Sequence, residues 1–230
     1  RKLIEKKIFD QAMEQAIRQK NQNVIIVNGK HWHLGVLGIV ASRLVEKFNK
    51  PSIVISFHNE KGIGSARSIK SINLGDIIID AKNEGLLIKG GGHKMAAGLT
   101  ISMNKYSYFY KYIVELLNNY DSSYFQKILY FDSVLTLDEI NLDLIKNIEK
   151  LEPFGHDNPY PKFIIHNVSL QFAKISKEKH VLLSLKDRKD KLLRGISFNC
   201  ADNALGQNLL NNKSKKFDLG CSIKKDIYKG

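Results

Sequence analysis

Two short segments of the sequence carry residue types that bind phosphate. In the first, Gly62-Ile63-Gly64-Ser65-Ala66-Arg67-Ser68, an extended backbone would place Ser65 and Arg67 on one face, because side chains alternate along a strand. A hydroxyl beside a guanidinium makes a good phosphate clamp, and Ser68 adds a second hydroxyl. A glycine-rich strand with one solvated arginine explains the same residues, so the clamp is a hypothesis.

The second segment is Gly90-Gly91-Gly92-His93. Three consecutive glycines are poor material for the interior of a helix or strand. They allow the backbone to approach a ligand closely and to present consecutive amide groups to a phosphate or carboxylate. His93 adds a donor that is charged or neutral near pH 7. The alternative is a flexible turn between two strands.

A third segment, His31-Trp32-His33-Leu34-Gly35, lies between a predicted strand and a predicted helix, where functional loops often occur. Trp32 could stack on a base or cap the core, and His33 is a further candidate contact. His31 and His33 are possible metal ligands, but no Asp or Cys accompanies them at ligand spacing, so we predict no metal site. The sequence contains no Asp-His-His cluster, Gly-x-Ser-x-Gly motif or Walker loop, and no complete hydrolytic centre is predicted.

Hydrophobic periodicity predicts the elements that position these segments. The pattern indicates a helix over residues 1–20, followed by short apolar strands alternating with helices, which favours an α/β domain over residues 22–120. The second half differs: short strands predicted over 163–175, 180–186, 192–199 and 217–225, with a helix over 201–210, are typical of a small barrel or sandwich.

The charge distribution suggests two modules and a connector. The net charge is +13, and residues 1–120 carry 18 basic against 9 acidic residues, residues 121–161 carry 3 against 8, and residues 162–230 carry 15 against 6. Basic blocks of this kind suit a polyanion, because each neutralised phosphate releases counterions. Since thirty of the basic residues are Lys and only six are Arg, a genome-wide codon bias explains the surplus equally well.

Composition excludes several classes of protein. A hydrophobic fraction of 43% over 230 residues is enough for a buried core, and no run of 18 apolar residues predicts a membrane-spanning helix. Two cysteines exclude a disulfide scaffold. The chain begins without Met and without an apolar signal segment, so we expect a fragment of a longer cytoplasmic protein.

Taken in order, these segments resemble the C-terminal half of the RecJ family, bacterial single-stranded-DNA-specific exonucleases of the DHH superfamily. The resemblance is carried by the runs His31–Leu44, Gly64–Ser68, Gly90–His93 with Ala96-Ala97-Gly98, and Leu151–Gly155 with Asn158-Pro159 and Lys179-His180. The first three are similar to the DHHA1 domain in general. The Pro153-Phe154-Gly155 loop and the strands after it look like the oligonucleotide-binding (OB) barrel of RecJ.

The resemblance implies an α/β DHHA1 domain followed by a mostly-β OB-type barrel. Residues 1–21 would be the end of an interdomain connector helix, 22–120 the DHHA1 domain, 121–161 a helical connector, and 162–230 the OB domain. The family continues beyond Gly230 into another barrel strand, so we expect a truncated barrel. The whole enzyme would degrade single-stranded DNA from the 5′ end in DNA repair and recombination.

The resemblance also implies a division of labour. Mn²⁺ or Mg²⁺ would be held by an upstream DHH domain, so this fragment alone should bind DNA without cleaving it and should bind no cofactor. Ser65 and Arg67 match positions that hold the terminal 5′ phosphate, and the Gly90–His93 loop, with His93, would face the scissile region. The barrel should hold the incoming strand through its basic and aromatic residues, with Phe172, Lys174, Lys186, Arg188 and Arg194 as candidates.

Two other functions stay open at this point. One is a DHHA1-type phosphodiesterase for short oligonucleotides or cyclic dinucleotides. The other is a non-catalytic interaction module, with residues 121–161 or the barrel contacting a protein such as single-strand-binding protein.

Overall fold

The computed structural model describes residues 2–155, 157–186, 191–211 and 215–226. It separates into two compact units, Arg1–Ile128 and Leu129–Gly230, and each is described by itself. None of the helices in the described ranges has the length and apolar character needed to span a membrane.

The first unit alternates helices and strands, as the periodicity predicts. In chain order its elements are α1 (Lys2–Arg18), β1 (Ile25–Lys30), α2 (Leu34–Phe48), β2 (Ser52–His58), β3 (Lys61–Arg67), α3 (Leu74–Asn83), β4 (Lys89–His93), β5 (Ala96–Ser102) and α4 (Tyr106–Asn118), with short 3-10 helices at Met103–Lys105 and Ser122–Phe125. The strands form one sheet in the order β1-β2-β3-β5-β4. Only β1 and β2 are parallel, and α2 connects them, as a parallel crossover requires.

Helices cover the two faces of this sheet unequally. The α3 and α4 face is a continuous apolar core that includes Ile55, Ala66 and Leu99 from the strands and Phe109 from α4. On the other face, α1 and α2 bury Val54 of β2 together with Ile25 and Val27 of β1. Helix α2 packs on β2 and β3, so the buried part of this face lies towards β1.

Two glutamines, Gln15 of α1 and Gln19 directly after the end of α1, complete the hydrogen bonding of the edge strand β1. The amide of Gln15 accepts from the backbone N–H of Asn28 at 3.1 Å and donates to its carbonyl at 2.8 Å; Gln19 does the same to Ile26 at 2.9 and 2.8 Å. The two glutamines are one helical turn apart, and Ile26 and Asn28 are two residues apart on a strand, so both pairs form together. The amides thus occupy backbone groups that would otherwise be open to a neighbouring strand. The helix over residues 1–21, expected to be a connector, is therefore part of the first unit.

The second unit is built on a curved sheet. Its elements are β6 (Ser133–Leu135), a 3-10 helix at Leu137–Glu139, α5 (Leu142–Glu149), β7 (Phe163–Ser176), β8 (His180–Lys186), β9 (Leu192–Ser197), α6 (Ala204–Asn211) and β10 (Lys216–Cys221). The long strand β7 pairs with β10 through residues 163–169 and with β8 through residues 169–176, with a bulge between Leu170 and Phe172. A long strand that bends from one partner to the next is typical of small barrels.

The structure corrects the expectation of a separate helical connector over 121–161. Strand β6 pairs in parallel with β7, and Leu137, Ile140 and Ile148 are buried in the core of the second unit. The acidic charge of the segment suggested a linker, whereas its apolar residues are spaced to pack. The residues from Ile227 to Gly230, where the sequence suggested truncation, lie outside the described part of the chain.

Candidate nucleic-acid interface

The register of three antiparallel strands places the predicted phosphate segments on one face of the first sheet. Ser65 of β3 pairs with Gly98 of β5, which pairs with Gly91 of β4. Arg67 pairs with Ala96, which in turn pairs with His93. Directly paired residues point to the same side of a sheet, so both rows share a face. A third row consists of Ile63, Thr100 and Lys89, two residues further along each strand. The three rows together form a patch that we call the open glycine face: Ile63, Ser65, Arg67, Thr100, Gly98, Ala96, Lys89, Gly91 and His93.

This patch lies on the α2 side of the sheet, because Val54, the partner of Ser65 on β2, belongs to the α1 and α2 core. Ala66 and Ala97, which alternate with the patch residues, are buried on the opposite side. The patch is partly open to solvent: Gly98 and His93 are exposed, and Ser65 and Arg67 are half-buried.

Ser65 and Arg67 form the side-chain pair that the sequence predicted. Nη1 of Arg67 donates to Oγ of Ser65 at 3.2 Å and to the carbonyl of Ala66 at 2.9 Å. A side chain at Gly38 of α2 would lie 2.9 Å from Nη2 of Arg67 and 3.2 Å from Oγ of Ser65, so the glycine leaves room for the guanidinium beside the helix. The guanidinium is thereby oriented, and both of these bonds use Nη1, while a guanidinium has five N–H donors.

The glycines of β4 have two different explanations. A Cβ at Gly90 would contact Ile78 of α3 at 3.0 Å, and one at Gly92 would lie 2.5 Å from the Cα of Ala97, so close packing leaves little room for a side chain at Gly90 and none at Gly92. Gly91 and its partner Gly98 have open space where a side chain would be. Packing therefore does not account for these two glycines, whereas a ligand that approaches the backbone would.

The structure corrects the expectation that Gly90–His93 forms a loop or a turn rather than a strand. Lys89–His93 is a strand that pairs with β5 along its whole length. Glycine disfavours strands in isolation, but α3 and β5 leave little or no room for a side chain at two of the three positions. Gly90–His93 and the Ser65–Arg67 pair nevertheless lie on neighbouring parts of one sheet, two strands apart or about 10 Å at the usual strand spacing.

Two other candidate contacts are internal. Trp32 is 5% exposed and donates from Nε1 to Gln11 at 2.8 Å, and its indole packs against the backbone of Gly29. Ser68 is 3% exposed and donates to the carbonyl of Ile72 at 2.9 Å. Neither side chain is available to a ligand, because burial, which local sequence does not reveal, takes both into the core.

The loop that contains Trp32 is held by a chain of hydrogen bonds through His58, which the sequence analysis missed. Oγ of Ser56 lies 2.8 Å from the carbonyl of Trp32, so its only hydrogen is donated there and it accepts from Nε2 of His58 at 3.2 Å. Nδ1 of His58 in turn lies 3.3 Å from Nδ1 of His31, within hydrogen-bond distance. His31 has a φ of 57°, and this contact stabilises it.

His33 begins α2: its Nδ1 accepts from the backbone N–H of Gly35 at 3.1 Å, and the ring is exposed. Its exposure at the start of a helix is compatible with a ligand contact, but the strand register does not bring it to the open glycine face. In the part of the chain that the structure describes, no group of three or more His, Cys, Asp or Glu residues could hold a metal ion.

In the second unit, several of the predicted barrel residues share an outer face. Phe172 pairs with Ser184, which pairs with Arg194; Lys174 pairs with Leu182, which pairs with Ile196. Residues two apart on the same strand share a face, so these rows are adjacent. We call this surface the aromatic-basic face and define it by Phe172, Lys174, Lys186, Arg194, Ile196 and Phe198.

Phe198 is the contact that the sequence analysis missed on this surface. It is 67% exposed, compared with 41% for Phe172, and its ring meets that of His180 edge to face at 5.3 Å. Lys186 is half-exposed at the end of β8, on the same side as Ser184. Arg188 lies outside the described residues. An exposed aromatic ring among basic side chains can stack on a base while the cations contact phosphates.

Comparisons with known proteins relate both units to one enzyme family. The chain matches the DHHA1 domain over residues 21–119 and the RecJ OB domain over residues 131–230. It is 34% identical over 192 residues to the single-stranded-DNA-specific exonuclease RecJ of Bacillus subtilis, covering 81% of this chain and 24% of that protein. The corresponding protein of Escherichia coli is 33% identical over 179 residues, covering 76% and 31%.

A solved structure shows the same fold. The crystal structure of RecJ in complex with Mn²⁺ from Thermus thermophilus matches with a TM-score of 0.77 at 21% identity, covering 100% of this chain and 32% of that one. The chain thus spans about a quarter to a third of the length of the curated relatives described here. The α/β DHHA1 domain and the OB-type barrel predicted from the sequence are confirmed.

Alanine substitutions can test whether the open glycine face has space for a side chain at Gly98. Gly98→Ala should leave the fold intact and raise the free energy of unfolding by up to about 1 kcal/mol, because the new Cβ enters open space and alanine loses less conformational entropy. Gly92→Ala should destabilise by about 1–3 kcal/mol, because its Cβ would overlap the carbonyl of Ala96. Urea unfolding followed by circular dichroism measures the free energy of unfolding of both variants. An equal loss of stability in the two would show that Gly98 is packed as tightly as Gly92.

Proposed function

The chain belongs to the RecJ family of single-stranded-DNA-specific exonucleases, and from that premise we propose that these 230 residues grip the DNA strand for a 5′-to-3′ exonuclease of DNA repair and recombination. The relatives that support this are named as single-stranded-DNA-specific exonucleases. The observation that carries the proposal is the open glycine face, on which a paired serine and arginine, two unpacked glycines and an exposed histidine lie together.

The open glycine face suits the phosphate at the end of a strand. The oriented guanidinium of Arg67 can donate two parallel hydrogen bonds to phosphate oxygens, and the hydroxyl of Ser65 adds a third group. Ala96 separates Arg67 from His93 in their row, so a phosphate above its small side chain lies between a permanent cation and a titratable ring. Gly98 and Gly91 let the sugar–phosphate chain approach the backbone.

We assign cleavage to a part of the protein outside these residues. Solved structures of the family are described as complexes with Mn²⁺ or Mg²⁺. The described residues of this chain do not fit such a centre, since no suitable group of ligands occurs among them. We assign the activation of water by paired metal ions to that outside part as well, while the groups of the described residues bind and position the strand.

The 230-residue chain alone should bind a labelled single-stranded oligonucleotide without shortening it, with or without Mn²⁺. Binding should weaken steeply as salt is raised, because the contacts release counterions from phosphates. Gel retardation and product analysis on denaturing gels measure the two properties. Metal-dependent shortening of the oligonucleotide would contradict the division of labour. An affinity that does not change with salt concentration would contradict the phosphate contacts.

Arg67→Ala should remove the preference for a 5′-phosphorylated end. Affinity for a 5′-phosphorylated strand should fall about ten-fold or more, because a hydrogen bond to a charged group contributes about 1.5–3 kcal/mol. The same strand with a 5′ hydroxyl should bind nearly as before. Fluorescence anisotropy with the two oligonucleotides measures the difference, and Arg18→Ala, an exposed arginine of α1, is the matched control. An equal loss for both strands would show that Arg67 does not hold the terminal phosphate.

We propose that the aromatic-basic face of the second unit holds the strand away from its end. Phe172 and Phe198 offer exposed rings for bases, and Lys174 and Arg194 lie in adjacent rows where they can reach phosphates. Stacking on aromatic rings and pairing with phosphates are both independent of base sequence. Contact with single-strand-binding protein stays a prediction, to which no surface is assigned.

Phe172→Leu should weaken binding of a 20-nucleotide strand about five-fold or more while the salt dependence stays the same, because stacking contributes about 1–3 kcal/mol per base and carries no charge. Lys174→Ala should instead reduce the slope of log K against log salt by about 1. Lys150→Ala, at the end of α5, is the control for loss of an exposed lysine. If both face variants behaved like the control, the strand would not follow this surface.

A further inference from the structure

The third row of the open glycine face holds a cation that the proposed terminal-phosphate contact does not use. Ile63 pairs with Thr100, which pairs with Lys89, and these three residues lie two positions along their strands from Ser65, Gly98 and Gly91. Lys89, Gly91 and His93 therefore project on the same side of β4. Gly90, between them, packs against α3 on the opposite side, which confirms this alternation.

The surroundings of Lys89 suit an anion. Its side chain is exposed, its strand neighbour is the hydroxyl of Thr100, and none of the nine residues of the patch is acidic. Among the ion pairs of the described residues, none involves Lys89. An ammonium beside a hydroxyl can contact a phosphate oxygen as a point charge and a donor.

The patch is long enough along its strands to contact several nucleotides and not only the terminal phosphate. Four residues separate His93 from Lys89 on β4 and Ala96 from Thr100 on β5. At a rise of about 3.3 Å per residue, the two ends of the patch are about 13 Å apart, and a single strand, extended beyond its stacked rise of about 3.4 Å per nucleotide, covers this in two to three steps. The glycine floor of Gly91 and Gly98 lies between the two ends.

We propose that Lys89 and Thr100 form a second phosphate subsite, which binds an internal phosphodiester of the strand whose 5′ end lies at Arg67 and Ser65. The inference rests on the proposed function, because it takes the terminal phosphate at Arg67 as its origin. Ile63, 38% exposed in the same row as Thr100, offers an apolar contact for the sugar or base beside that phosphodiester. The first unit thus binds a short length of the DNA strand rather than its 5′ end alone.

Ligand length separates the two subsites. We would measure the affinity of the 230-residue chain for 5′-phosphorylated thymidine oligonucleotides of one to four residues by competition against a labelled strand. Lys89→Gln should lower affinity for the tetranucleotide about ten-fold, as expected for the loss of a charged hydrogen bond, and leave the mononucleotide within about two-fold. Thr100→Val, which keeps the shape of the side chain, should give a smaller loss with the same dependence on length.

The controls distinguish this inference from the function beneath it. Lys82→Gln removes an exposed lysine from α3, which packs on the other face, and should change neither affinity. If Arg67→Ala weakens every phosphorylated ligand while Lys89→Gln weakens none, the terminal site stands and the second subsite is wrong. If Lys89→Gln weakens all lengths equally, the lysine acts only through the general field, which also overturns the subsite. If Arg67→Ala has no effect on any ligand, the proposed function itself fails.

Discussion

The register of β3, β5 and β4 is the constraint on which the first unit depends. It places Ala66 and Ala97 in the α3 and α4 core and turns Ser65 and Arg67 to the open side. Because the side-chain period of a strand is two, a slip of one residue would drive the arginine into that core and bring the alanines out. Burial of an unpaired guanidinium is costly, so the packing that stabilises the fold also fixes the position of the groups proposed to bind phosphate.

The two edges of the same sheet meet different requirements. At β1, the amides of Gln15 and Gln19 pair with backbone groups that a neighbouring strand could otherwise use. At β4, the strand has five residues, and α3 packs tightly on one side of it. On the other side, Gly91 of β4 and its partner Gly98 of β5 have open space, so the accessible side near this edge is the one with the proposed ligand contacts.

The sequence was sufficient to predict α2, α4 and the buried strands, because their apolar periodicity is strong and tertiary packing agrees with it. It was insufficient for Gly90–His93, because the need for glycine there comes from α3 and β5, which are distant in sequence. Trp32 was left open between a base contact and a core position, and Ser68 was expected to contact phosphate, because a local pattern does not show burial. Lys89 and Thr100 could not be related to Ser65 without the order β3-β5-β4, in which a strand later in the sequence lies between two earlier ones.

The chemistry of the two faces accounts for binding without regard to base sequence. Arg67, Ser65 and Lys89 are proposed to contact phosphates, which are the same in every nucleotide. Phe172 and Phe198 offer flat rings, and every base has a face to stack on them. A protein that read base edges would need side chains fixed to match donor and acceptor patterns, whereas a glycine floor between cations accepts any nucleotide. That property suits an enzyme proposed to take up each successive 5′ end as the strand is shortened, because each new end must fit the same site.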